Sequence, residues 1–220
     1  MVARKIVCLA NSRKLRGRCI AGKEYFRQNR FGAWIRPVSD RPTGEVTVRE
    51  TACGKGVYPE LLDIVSIPLQ RPLPQAYQVE NILIAPGQSW VKDGKLDKEY
   101  LPKMLDDVPS LWSNGWHSSN GLNDRLPQEK AEQEIRSSLV FIKPESFVIH
   151  VDQEFKGKKA RAKFKYKGTE YWLIITDPVE NKFKSKPVGD YKITKEVFLC
   201  ISLGEPYREW CYKLVAGVII

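Results

Sequence analysis

The chain has 220 residues, of which 42% are hydrophobic and 28% charged, and it carries a formal net charge of +10. This composition is typical of a packed globular protein with one large or two small domains, and it excludes intrinsic disorder. No apolar run reaches the roughly 18 residues of a membrane-spanning helix, so we expect no membrane span.

The positive charge is concentrated in two places. Residues 1–50 contain twelve Lys and Arg against four acids, and a second basic block is KGKKARAKFKYKG, residues 156–168. Phosphate polymers are the commonest partners of such a surface, because binding releases their counterions. The charge therefore favours a nucleic acid as partner.

The cysteines and the N-terminus indicate the compartment. The five cysteines are widely spaced and form no CxxC pair, so we predict reduced structural thiols and no structural zinc. The start, MVARKIVCLANSRK, lacks the apolar segment of a secretory signal. We predict a cytoplasmic protein without a cofactor or a bound metal.

The first part of the chain, residues 1–85, is predicted to form a small β-barrel. Its strands are predicted at residues 5–10, 33–38, 61–69 and 79–84. Gly-, Pro-, Asn- and Asp-containing turns separate them. The basic, glycine-containing stretch 11–24 is expected to belong to the first strand or to the loop that leads to the second.

Residues 86–137 are predicted to be a partly helical connector. Short helices are expected at 97–105 and 127–138, the second with Pro127 at its start and acids early, as the helix dipole favours. The polar loop 109–122 between them holds Trp112 and Trp116.

Residues 138–220 are predicted to form a second small barrel. Its strands are expected at residues 139–142, 147–152, 158–166, 170–176, 197–203 and 212–219. Strands do not alternate with long helices, so the predicted fold class is mainly β with a few short helices.

Several strings resemble a bacterial family of dual OB-fold proteins. They are CLANSRKLRGRCIAGKE, GAWIRPVS, LLDIVSIPL, GLNDR, TDP, and FLCISLGEP followed by CYKLVAGVI. The resemblance implies two OB-type barrels, one per half, and favours nucleic acid as ligand. It brings no catalytic residues with it.

The second basic block alternates between charged and apolar residues. With a period of two, Lys159, Arg161, Lys163 and Lys165 share one strand face, and the residues between them share the other. Like charges in a row repel unless acids or an anion lie opposite. Two interpretations stay open, a strand that follows a phosphate backbone and an edge strand whose lysines block aggregation.

The first basic stretch and several tryptophans are further candidates. Arginines at such positions contact phosphates in bidentate fashion, although a solvated loop with salt bridges would have the same sequence. Exposed tryptophans stack on bases, whereas Trp172, next to Leu173-Ile174-Ile175, is assigned to the core. The predicted nucleic-acid contacts are Arg13, Lys14, Arg16, Arg18, Lys23, Trp34, Arg36, Trp112, Trp116, Lys159, Arg161, Lys163 and Lys165.

We therefore predict a non-catalytic protein that grips single-stranded DNA or RNA with little sequence specificity, in one groove to which both basic segments contribute. The sequence does not distinguish DNA from RNA or give the oligomeric state. An enzyme is less favoured, because few residues converge on a reaction. The alternatives are a Mg²⁺-dependent enzyme that acts on nucleic acid or nucleotides with acids such as Asp124, Asp177 and Glu205, and a protein-interaction adaptor in a multi-gene bacterial system.

Overall fold

A computed structural model describes residues 2–14, 17–155 and 157–220. The chain forms two compact units, residues 1–104 and residues 105–220. The predicted connector, 86–137, is divided between them, and each unit is described by itself. The described residues are mainly β with three short helices, which confirms the predicted fold class.

The first unit is built from strands and one short 3₁₀ helix. The described strands are β1 (Val2–Lys14), β2 (Gly17–Phe26), β3 (Arg30–Val38), β4 (Asp63–Pro72), β5 (Asn81–Ile84) and β6 (Val91–Lys95). The 3₁₀ helix, Lys98–Met104, follows β6 where a short helix was predicted.

The strands of the first unit close into a barrel. Their order is β1-β2-β3-β5-β4-β6, and β1 also pairs with β4. The β3–β5 pair is parallel and the other pairs are antiparallel. Inward-facing residues such as Ile6, Ile20, Ile35 and Ile67 form the core with Trp90.

Outside residues 15 and 16, which the structure does not describe, the basic stretch 11–24 forms parts of two paired strands and not one long loop. β1 and β2 pair over most of their length, from Ile6 with Glu24 to Lys14 with Gly17. A Cβ atom at Gly22 would lie 1.9 Å from the carbonyl oxygen of Val7. This glycine therefore permits close contact between strands and is not needed to admit an anion.

The second unit has eight strands in its described part. They are β7 (Arg125–Pro127), β8 (Leu139–Ile142), β9 (Ser146–Glu154), β10 (Gly157–Tyr166), β11 (Thr169–Ile175), β12 (Gly189–Lys192), β13 (Phe198–Tyr207) and β14 (Trp210–Ile219). Helix α1 (Gln128–Glu134) is shorter than predicted, and helix α2 (Glu180–Lys184) lies where none was predicted.

Apart from β6 in the first unit and β12 in the second, the second unit repeats the strand order of the first. Its order is β12-β9-β10-β11-β14-β13-β8, with β11 and β14 parallel. β8 and β9 are separated only by residues 143–145, and they pair with β13 and β10, respectively. Together they take the place of β1 in the first unit, which pairs with β4 and β2.

Strand β10 lies in the interior of its sheet, between β9 and β11. The interpretation of the lysine-rich segment as an edge strand was therefore wrong. The predicted alternation of faces is confirmed, because Ala160, Ala162, Phe164 and Tyr166 are all buried in the core of the second unit.

No helix in the described part of the chain is long and apolar enough to cross a membrane.

Candidate nucleic-acid interface

A lysine and a tryptophan face each other on the outer surface of the second unit. Lys163 on β10 is the Cα partner of Trp172 on β11, and its Nζ lies 4.6 Å from the centroid of the ring. Trp172 is 39% exposed, so its assignment to the core was wrong. Strand alternation explains the error, because its neighbours Tyr171 and Leu173 take the inward positions.

The first unit has the same pair at the same strand positions. Lys23 on β2 is the Cα partner of Trp34 on β3, with Nζ 5.5 Å from the ring centroid. Tyr25 and Phe31 pair two residues further along, with centroids 6.1 Å apart. In each barrel, the second and third strands of the shared order therefore carry a lysine beside a half-exposed tryptophan.

Carboxylates next to the lysine-rich strand explain how it tolerates its charge. Lys163 lies 3.3 Å from Asp190 on β12, and Lys167 pairs with Asp107. His150 on β9 lies 2.5 Å from the same Asp190 carboxylate. The contact with His150, aided by that with Lys163, lowers the pKa of Asp190.

Arg161, a predicted contact, is covered by other residues of the second unit. It is only 8% exposed, and its guanidinium lies 2.6 Å from Glu154. Burial alone would raise the pKa of Glu154, but hydrogen bonds with Arg161 and Asn120 outweigh it and lower this pKa. Arg161 therefore binds another part of its own barrel.

Arg36 has a similar place in the first unit. It is 3% exposed, and its guanidinium lies 3.2 Å from Glu80, which is also buried. The backbone N–H of Arg36 donates to the carbonyl oxygen of Glu80 as well. A buried ion pair of this kind fixes the segment between β4 and β5 against β3, so Arg36 is not a surface contact.

The remaining basic candidates differ in exposure. Arg13 is exposed, and it lies opposite the half-buried Arg18 in the β1–β2 pair. Lys159 is half-buried opposite Asp152, whereas Lys165 is exposed. Arg16 and the side chain of Lys14 lie outside the described part of the chain.

The two tryptophans of the polar loop have different roles. Trp112 packs against the core of the second unit, and its indole N–H donates to the carbonyl oxygen of Ser137 at 2.9 Å. Trp116 is half-buried, with Lys130 Nζ 5.9 Å from its ring centroid. Only Trp116 therefore keeps an environment suited to ligand contact.

Sequence reasoning missed a further pair at the start of β14. The guanidinium of Arg125 lies 4.1 Å from the ring centroid of Trp210. The two residues are far apart in sequence, and β7 brings them together by pairing with β14. The sequence pointed to Arg125 only as the basic residue of the GLNDR string, and it did not predict the contact with Trp210.

Backbone bridges from the polar loop connect these pairs. Leu122 exchanges two backbone hydrogen bonds with Trp172, at 3.4 and 3.0 Å, and Trp116 bridges to Arg125. A run of paired backbone therefore leads from Lys163 on β10 to Trp210 on β14. We call Lys163, Trp172, Trp116, Arg125 and Trp210 the aromatic-cation strip.

A buried lysine holds the polar loop 109–122 in place through hydrogen bonds. Lys213 Nζ donates to the carbonyl oxygen of Ser113 at 2.9 Å and to Asn114 Oδ1 at 2.7 Å. Burial lowers the pKa of Lys213 to about 7, against a partial opposing effect of Asp124. The ammonium also lies 5.4 Å from the ring of Tyr171, whose hydroxyl accepts from Asn114.

The acids considered for catalysis have structural partners. Asp124 accepts hydrogen bonds from the backbone and hydroxyl of Ser118. Asp177 accepts from the backbone N–H groups of Val179 and Val218, and burial raises its pKa. Among the residues that the structure describes, no group of three His, Cys, Asp or Glu is arranged to hold a metal ion.

The fold and the family model agree on the class of protein. Two barrels with a parallel pair between the third and fifth strands, closed by the first and fourth, define an OB-type protein. The chain belongs to the dual OB-containing domain family, whose model matches residues 4–218. No curated protein and no solved structure matches the chain significantly.

Proposed function

We propose that this protein binds single-stranded DNA or RNA through the outer faces of its barrels, with little sequence specificity. The main support is the recurrence of one arrangement, Lys23 with Trp34 and Lys163 with Trp172, on the second and third strands of each barrel. In OB folds this face commonly binds oligonucleotides. An aromatic ring offers a stacking surface to any base, and a lysine beside it offers charge to the phosphate.

The aromatic-cation strip supports this proposal in the second unit. Its two cations, Lys163 and Arg125, and the neighbouring Lys130 beside Trp116 each lie within 6 Å of the centroid of an indole ring. Stacking on such rings contributes about 1–3 kcal/mol per base and does not depend on base identity. We therefore expect binding to pyrimidine and mixed sequences alike.

The proposal does not include every basic residue of the sequence prediction. Arg36 and Arg161 are omitted because each is buried against a carboxylate. Lys23, Trp34, Trp116, Lys163 and Lys165 are retained, with Trp172, Arg125 and Trp210 added. Affinity then rests on a few accessible cations and on stacking.

The test is fluorescence anisotropy with labelled oligo-dT and oligo-rU of about 20 nucleotides at two salt concentrations. We expect binding at micromolar protein or below, weakened as salt rises because bound phosphates release counterions. A duplex of the same length serves as the control and should bind more weakly, since its bases are not free to stack. Absence of binding to both single strands would contradict the proposal.

A further inference from the structure

A phenylalanine projects into solvent at the turn between β9 and β10. Phe155 is fully exposed, and it follows Glu154, which pairs with Gly157 across the hairpin. Covering an exposed phenylalanine ring with an apolar surface removes it from water and is therefore favourable. In the shared strand order this turn joins the first and second strands, a position from which OB folds contact oligonucleotides.

The surroundings of this ring favour a nucleobase over an apolar partner. The neighbouring residues Gln153, Glu154, Lys158 and Lys159 are polar or charged. Lys158 Nζ donates to the carbonyl oxygen of Lys186 at 2.7 Å, a neutral partner that leaves its positive charge available. A flat ring in a segment that carries lysines suits a base and its phosphate. An apolar protein partner would instead bind a contiguous apolar patch.

Phe155 and Trp172 lie at a distance that one oligonucleotide spans. From Gly157 at the turn to Lys163 beside Trp172, β10 advances six residues, or about 20 Å. Single barrels typically cover about 4–16 nucleotides, which includes this span. A strand that lies along β10 would therefore meet a ring at each end.

We propose that Phe155 stacks on a nucleobase, so that the second unit reaches its full affinity only with a strand long enough to contact both Phe155 and Trp172. This inference rests on the proposed function. It assigns the two ends of the site, Phe155 and Trp172, to different nucleotides of the same strand.

The experiment compares Phe155→Ala and Phe155→Trp with the unaltered protein on oligo-dT of 4 and 12 nucleotides. For the 12-mer, Phe155→Ala should weaken binding about five- to a hundredfold, as expected for loss of one stacked base. For the 4-mer, which fits at Trp172 alone, the change should be less than twofold. Phe155→Trp should retain the affinity for both.

Three results separate the possibilities. If the unaltered protein binds the 12-mer and Phe155→Ala binds it equally well, this inference is wrong while the proposed function stands. If the unaltered protein binds neither oligonucleotide, both are wrong. If Phe155→Ala abolishes sedimentation with phosphatidylserine vesicles but leaves 12-mer binding unchanged, the ring serves a lipid surface and the inference is overturned.

Discussion

The Asp190 carboxylate lies 3.3 Å from the ammonium of Lys163, on the side away from Trp172 in the strand order β12-β9-β10-β11. A phosphate that binds Lys163 must therefore compete with a carboxylate of the same barrel. The same acid also contacts His150, so Asp190 balances much of the positive charge at this place.

Substitution of Asp190 should strengthen nucleic-acid binding. In Asp190→Asn the Lys163 ammonium loses its anionic partner, and we expect affinity for oligo-dT to rise about two- to tenfold, the effect of one nearby charge at moderate salt. Anisotropy at fixed salt measures the change. The matched control is Glu196→Gln, which alters net charge equally but removes the partner of Lys143, outside the strip. Equal affinities for both variants would mean that Asp190 does not mask the site.

Substitution of Trp172 should weaken binding. Trp172→Ala removes the exposed ring of the strip and should cost about 1–3 kcal/mol of binding free energy, whereas Trp172→Phe should retain most of it. Since the side chain is 39% exposed, we expect the fold to persist, and circular dichroism would verify this. Val188→Ala, at an exposed apolar residue of the same unit, serves as control. Unchanged affinity of Trp172→Ala would remove this residue from the interface.

The buried Lys213 should make stability depend on pH. Its pKa is lowered to about 7 in the folded protein, whereas the unfolded side chain keeps its ordinary value of 10.5. Between these values the unfolded chain binds one more proton, so stability should rise with pH over this window. Relative to Lys213→Met, the unaltered protein should gain about 2–3 kcal/mol in free energy of unfolding between pH 6.5 and 9.

Urea denaturation at the two pH values measures this difference. Lys165→Met serves as the control, because Lys165 is exposed and its loss should leave the pH dependence unchanged. Parallel pH dependence of Lys213→Met and the unaltered protein would show that Lys213 remains protonated in the fold at both pH values.

The ion pair between Arg36 and Glu80 should matter for stability and not for binding. Glu80→Ala removes the carboxylate that faces the buried Arg36 guanidinium and should destabilise the protein by about 3–5 kcal/mol. The double variant Arg36→Leu, Glu80→Leu removes both charges and should be less destabilised. Chemical denaturation measures the free energy of unfolding of both variants. A double variant that is less stable than Glu80→Ala would contradict this view of the pair.

The periodic elements could be predicted from sequence because their chemistry is local. In β10, small and aromatic residues alternate with charges, and that period alone fixed which face is buried. The period did not show whether β10 is an edge or an interior strand. Its pairing with β9 and β11 depends on the arrangement of the whole sheet and not on the sequence of β10 alone. The acids that neutralise Lys163 and Arg161 likewise come from other strands.

The candidate site was predicted less well, for two reasons. Residue type alone does not show whether Arg36 and Trp172 are buried or exposed. The apolar residues on both sides of each also hide the alternation between inward and outward positions. The pair of Arg125 with Trp210 depends on β7 lying beside β14, a contact between residues about 85 positions apart. Local propensity carries no information on such contacts.

The salt dependence of single-strand binding tests the central claim most directly. The logarithm of the association constant for oligo-dT should fall linearly with the logarithm of salt concentration, by about 0.7 per phosphate contacted. In Lys163→Gln the slope should become shallower by about that amount, since one contact is lost. A slope near zero in the unaltered protein, or the same slope in both proteins, would contradict phosphate binding beside Trp172.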